Sequence, residues 1–87
     1  MTDKEQGVIK YMNENGGYFK EFHFSELTSV IFSEEIIKKY SHARRRKVII
    51  ETMVLSYLGK MVRKGFLRNH SMKGEFGLVK KYWKKND

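Results

Sequence analysis

The chain contains no cysteine and no proline. Without thiols it can form neither a disulfide nor a thiolate metal site, and it offers no cysteine nucleophile. Without proline the usual markers of helix ends are missing, so element boundaries rest on capping residues and glycines. No apolar run approaches the ~18–20 residues of a membrane-spanning helix. The opening MTDKEQG lacks the charged-then-apolar design of a secretory leader, and a cytoplasmic protein with no membrane partner is expected. Aspartate is scarce, with only Asp3 and Asp87, both near the ends. His23, His42 and His70 lie far apart, with no helical metal-ligand spacing. Gly74-Glu75-Phe76-Gly77 follows no strand-to-helix pattern and is not a nucleotide loop. These absences predict a protein that is not an enzyme and carries no metal or cofactor.

Acidic residues are also unevenly scarce. At 87 residues and 40% hydrophobic, the chain suits one domain with a single modest core. Its net charge of +8 divides sharply along the sequence. Residues 1–37 hold three lysines against seven acids, whereas residues 38–87 hold 15 Lys/Arg against three acids. A charge that served solubility alone would be spread more evenly. The asymmetry points to a polyanionic partner, with a merely solvated face as the alternative.

The stretch Ser41–Gly65 dominates what is present. It opens on a favoured capping residue, and Ala43, Ile50, Met53, Val54, Tyr57, Leu58 and Met61 recur at helical spacing. A helix over 42–64 would be about 34 Å long at ~1.5 Å per residue. Opposite its apolar arc, Arg45, Thr52, Ser56, Lys60 and Arg63 make a polar, positive stripe. Between the two runs Val48, Thr52, Leu55, Gly59 and Val62, spaced 4-3-4-3 like a coiled-coil seam. That line is either scattered surface apolar residues or a dimer contact. Just upstream, six of the ten residues Lys38–Lys47 are positive. Such a run packs poorly without anions, and it sits where a helix N-terminus also favours phosphate.

The flanking segments predict short elements. Residues 3–15 read as a helix capped by Thr2 or Asp3, with Val8, Ile9, Tyr11 and Met12 inward and Asn15-Gly16-Gly17 as its stop. Tyr18–Phe24 suits a short strand or an extended linker. Ser25 caps a helix to Phe32, with Leu27, Val30 and Ile31 inward. Ser33-Glu34-Glu35 begins another to Tyr40, unless the two are one bent helix. After Gly65, Phe66–Asn69 reads as a strand, His70–Gly74 as a turn and Glu75–Trp83 as the returning strand. There Phe76, Leu78 and Tyr82 alternate with Gly77, Val79 and Trp83. In the basic aromatic tail over 80–87, Tyr82 and Trp83 close the core, stack on a partner or join a dimer.

This order of helix, short strand, two helices and hairpin resembles the winged-helix DNA-binding family. The local match is Tyr57-Leu58-Gly59-Lys60-Met61-Val62-Arg63-Lys64-Gly65-Phe66-Leu67, followed by Arg68, a polar loop with Gly74, and Phe76/Leu78. Asn15-Gly16-Gly17 through Phe24-Ser25-Glu26-Leu27 resembles the family's passage from first helix to second. The chain departs from the pattern around Ser33–Lys47, where an extra helix is inserted or the recognition helix extends backwards.

The resemblance implies an α+β fold, mainly α with a small antiparallel β-hairpin. It implies one winged helix-turn-helix domain over residues 1–87, with a wing at about 66–83. It further implies sequence-specific binding of double-stranded DNA by a small transcriptional regulator acting as a homodimer. In the extended form of the recognition helix Ser41, Arg44, Arg45 and Lys47 enter the groove; in the shorter form Thr52, Ser56 and Lys60 do. Lys38, Lys39, Arg44 and Arg45 would hold phosphates, His42 is a phosphate or groove contact, and Arg68, His70 and Lys73 would belong to the wing. Val48, Leu55 and Val62, the N-terminal helix, and Tyr82 with Trp83 are the dimer candidates. The same charges would also serve an RNA-binding or nucleoprotein-packaging role, with tail aromatics stacked on unpaired bases. A winged helix that docks protein partners is the third expectation.

Overall fold

Thr2 and Glu5 begin the fold by satisfying each other. The Thr2 hydroxyl accepts from the Glu5 N–H at 3.2 Å, and the Glu5 carboxylate accepts from the Thr2 N–H at 2.9 Å. This capping box starts α1 (Asp3–Glu14). The helix stops where Gly16 and Gly17 take φ of 84° and 87°, and the Gly17 N–H returns to the Met12 carbonyl at 2.8 Å. A side chain would strain that left-handed turn. Val8, Ile9 and Met12 are buried, and Tyr11 packs beside them. The Tyr11 phenol donates to Glu26 of the next helix; burial, then that carboxylate, push its pKa up to about 12.

The computed structural model describes residues 1–20, 23–74, 77 and 79–86. Phe22, Phe76 and Leu78 of the expected strands lie outside the described residues. β1 spans Tyr18–Lys20, the Lys20 N–H donates to His23 Nδ1 at 2.9 Å, and Phe24, expected to end the strand or linker, instead opens α2 (Phe24–Ile31). The expected cap at Ser25 is not used, and no side chain caps this helix. Burial of the Phe24 ring, 5.4 Å from Trp83, takes precedence and leaves Ser25 exposed in the first turn. Phe32 is extended at φ −114°, ψ 146°, which separates α2 from α3 (Glu34–Tyr40). They are two helices, and Ser33 caps the second by accepting from the Ile36 N–H at 3.5 Å.

The long helix begins later than its capping signal. Ser41 ends α3, its hydroxyl donating to the Lys38 carbonyl at 2.7 Å, and α4 spans Arg46–Arg63. Two turns bridge the gap, through Ala43 N–H to Tyr40 O at 3.0 Å and Arg46 N–H to Ala43 O at 3.2 Å. Four consecutive cations, Arg44–Lys47, oppose the positive end of any helix that includes them, so regular structure starts only as the apolar positions do. Val54, Leu58 and Met61 of α4 are buried, Ile50, Met53 and Tyr57 half-buried, and Ala43 lies outside the helix. The C-terminus follows the glycine signal. Gly65 takes φ 83°, its N–H meets Val62 O at 3.0 Å and the Phe66 N–H meets Met61 O at 3.0 Å, the paired bonds of a Schellman stop.

β2 (Leu67–Lys73) and β3 (Val79–Lys85) are antiparallel, in register from Leu67↔Lys85 to Lys73↔Val79. β2 runs further than the sequence implies, residues 70–73 being strand rather than turn, whereas β3 is shifted: Gly77 lies outside it at φ 74°, and it continues two residues past Trp83. β1 pairs with the other edge of β3, Phe19 opposite Trp83, giving a three-stranded sheet in the order β1-β3-β2 rather than a hairpin alone. Alternation explains the join. Phe19, Trp83 and Leu67 point to one face and are at most 2% exposed, closing the core with Val8, Met12, Leu27, Ile31, Leu58 and Met61. The chain is thus mainly helical with a small antiparallel sheet, an α+β fold. One ion pair crosses it: Lys64 at the end of α4 meets the buried Glu5 at 3.2 Å. The Thr2 N–H, against the opposing effect of burial, and with help from the Thr2 hydroxyl and Lys64, holds the Glu5 carboxyl below its ordinary pKa.

Candidate nucleic-acid interface

α4 carries the expected positive stripe on its outer side. Thr52, Ser56, Lys60 and Arg63 are exposed, as is Arg45 at the N-cap. At 100° per residue they lie opposite Val54, Leu58 and Met61. From Arg45 to Arg63 the stripe extends about 27 Å at ~1.5 Å per residue. Thr52 is not a free donor, since its hydroxyl donates to the Val48 carbonyl at 2.7 Å. Lys47 is exposed but belongs to a different side: it lines the groove between α2 and α4 with Phe24, Thr28 and Ile50. The helix therefore brings Arg45, Thr52, Ser56 and Lys60 together and turns Lys47 away.

A second group flanks the start of α4. Lys38 and Lys39 are exposed on the last turn of α3, and His42 and Arg44 are exposed in the connection. Ser41 is half-buried, committed to capping α3, and its carbonyl accepts from Arg46 Nη1 at 3.4 Å. Its expected place at the head of the long helix is thereby corrected. No residue of α3 is buried, and the buried positions of α4 begin only at Val54. Sequence positions 34–53 thus form a lobe held on by half-buried Ile36, Ile37, Tyr40 and Ile50. No side chain caps α4, and no acid stands in its first turn. Among the described residues the only salt bridge is Lys64–Glu5, so no carboxylate neutralises this lobe by direct pairing.

The wing residues separate. Arg68 is on a strand as expected, His70 is on β2 rather than in a hairpin loop, and their parity puts both on the sheet face turned away from Leu67 and the core. His70 stacks on Tyr82 there, ring centroids 5.4 Å apart. Lys73 is exposed at the last position of β2.

The dimer candidates divide in the same way. Val48 and Leu55 are 58% and 39% exposed, whereas Val62 packs against the core. The expected seam is therefore two apolar residues long, not three. Trp83 is 2% exposed and belongs to the core, so it forms no part of a dimer surface. Tyr82, its chain neighbour, lies on the opposite face and remains half-exposed.

Sequence reasoning missed the company His70 and Tyr82 keep. Tyr18 and Lys20 of β1, Arg68 of β2 and Lys84 of β3 share their face of the sheet. Alternation within each strand was the available signal, but the pairing of β1 with β3 was needed to assemble it. Among the described residues no three His, Asp or Glu side chains gather to hold a metal, and no helix is long and apolar enough to cross a membrane. Comparison with known protein families, curated proteins and solved structures finds no significant match to this chain.

Proposed function

We propose that the protein binds double-stranded DNA as a winged-helix regulator of transcription in the cytoplasm. α4 serves as the recognition helix and the β2–β3 hairpin as the wing. The observation that carries the reading is the outer side of α4: Arg45, Ser56, Lys60 and Arg63 stand exposed opposite its buried face, with no carboxylate paired to them among the described residues. A helix side ~27 Å long fits a major groove ~12 Å wide, and cations along it release counterions from the phosphates. The order of α1, β1 and α2 ahead of a long helix and the β2–β3 hairpin supports the winged-helix reading. The inserted helix is α3, and it adds Lys38 and Lys39 to the phosphate contacts.

The protein acts by binding rather than catalysis. Its three histidines sit on separate parts of the fold: before α2, in the α3–α4 connection and on β2. A single small module binds weakly, so a homodimer through Val48 and Leu55 would supply a second half-site.

Titration of duplex DNA at several salt concentrations tests the reading. About five neutralised phosphates give a log–log slope near −4 to −5, at ~0.9 per phosphate. Replacing Arg45 and Lys60 by Ser should flatten the slope by about 2. A slope near zero for the parent protein would overturn it.

A further inference from the structure

The outer face of the sheet combines rings and cations in a way that duplex binding by α4 does not use. Two rows cross the three strands. Lys20, Tyr82 and His70 are in register in one, and Tyr18, Lys84 and Arg68 in the next, about 7 Å along the strands. His70 and Tyr82 lie nearly parallel, 5.4 Å apart and inclined by 23°. Tyr18 meets Tyr82 edge-on at 6.4 Å. Lys20 Nζ sits 5.4 Å from the Tyr18 ring centre and Lys84 Nζ 5.6 Å from that of Tyr82. No described position of any of the three strands holds an acid.

From this geometry we infer that the outer sheet face binds single-stranded nucleic acid, unpaired bases stacking on Tyr82 and Tyr18 while Lys20, Arg68 and Lys84 hold the phosphates. The charge selects a polyanion, and the rings select one with free aromatic faces. A duplex keeps its base faces stacked inside and offers these rings nothing. An acidic peptide would satisfy the lysines but not the tyrosines.

The energetics favour exchange at each ring. An exposed cation–π contact contributes about 0.5–1 kcal/mol, whereas a base stacked on an aromatic side chain contributes about 1–3 kcal/mol. A base that takes the place of Lys84 over Tyr82 therefore gains on stacking. The displaced ammonium then stands beside the phosphate of the same nucleotide. The inference is independent of the recognition-helix reading, because α4 contributes none of these side chains; it shares only Arg68 with the contacts proposed for the wing, and neither tyrosine is assigned a duplex contact.

The test is fluorescence anisotropy with labelled dT12 and U12 in parallel with a labelled duplex. The parent should bind at least one of the two single strands, and the stronger arm identifies DNA or RNA as the source. Tyr82→Ala should weaken that binding about 5- to 150-fold, Tyr82→Phe should retain it within about twofold, and both should leave duplex affinity within about twofold. Tyr18→Ala provides a second variant should Tyr82→Ala fail to fold, which circular dichroism reports. Parent protein that binds neither single strand, or alanine variants that bind like the parent, would overturn the inference. Single-strand binding lost equally in the Arg45→Ser/Lys60→Ser variant would also overturn it, by placing the strand on α4.

Discussion

Arg45 sits where two demands conflict. As the N-cap of α4 it puts a cation at the positive end of the helix dipole and offers no side-chain acceptor to the first turn. For an isolated fold this is a poor choice; beside a phosphate it becomes a good one. Arg45→Asp should therefore move stability and binding in opposite directions. Thermal or urea unfolding should show a gain of about 0.3–1 kcal/mol, while duplex affinity falls several-fold. A variant both less stable and equally tight on DNA would contradict this account. Ser41 teaches the complementary lesson. Its residue type signals a cap, but it serves the helix before it, because the cations that follow delay the next one. The buried Glu5 carries a residue-scale fact that its sequence position hides. Its partner Lys64 is 59 residues away, and only packing α1 against the end of α4 makes the pair.

At the scale of elements, β3 is the member on which the sheet depends. It is the central strand, paired on both edges, and Trp83 at its middle faces Phe19 and Asn69 across them. Trp83→Ala should cost about 3–5 kcal/mol in denaturant unfolding, a large share of the ~4–13 kcal/mol available to a chain this long. Tyr82→Ala, one residue away on the outer face, should cost about 1 kcal/mol or less. If both variants lost the same stability, the two faces would not be inside and outside as described. α4 is divided in a different way. Its second half is anchored by Val54, Leu58 and Met61, while its first half and α3 hold together through half-buried isoleucines. The helical period made the anchored half legible from sequence. The later start of the helix was not, because Ser41 and Ala43 fit the helical pattern as well as any residues that follow.

The whole molecule separates acid from base. Six acids of the first 37 residues that are described fall on α1, α2 and α3, and the cations gather on the outer side of α4, its approach and the sheet. The radius of gyration, 13.5 Å, exceeds the ~12 Å of a compact chain of this length, consistent with a lobe that stands off the core. A free edge of apolar surface remains at Val48 and Leu55. If these form the homodimer contact, Val48→Glu/Leu55→Glu should convert a dimer to a monomer in sedimentation equilibrium. Unfolding should change little, since neither side chain is buried. A parent protein that is monomeric at tens of micromolar, free and on DNA, would remove the dimer.

The sequence by itself determined the kinds of element and the sign of the surface. Helical periodicity placed the inward residues of α1 and the second half of α4, glycines marked where both helices stop, and the charge count concentrated the cations in the C-terminal part. These properties are local or additive, so they survive without knowledge of neighbours. Tertiary structure decided which residues share a surface. It joined β1 to β3, sent Trp83 inward and Tyr82 outward, turned Lys47 away from Thr52 and Ser56, and brought Glu5 to Lys64. Each of these depends on contacts between residues distant in the chain, and such contacts are chosen by how the buried faces fit one another.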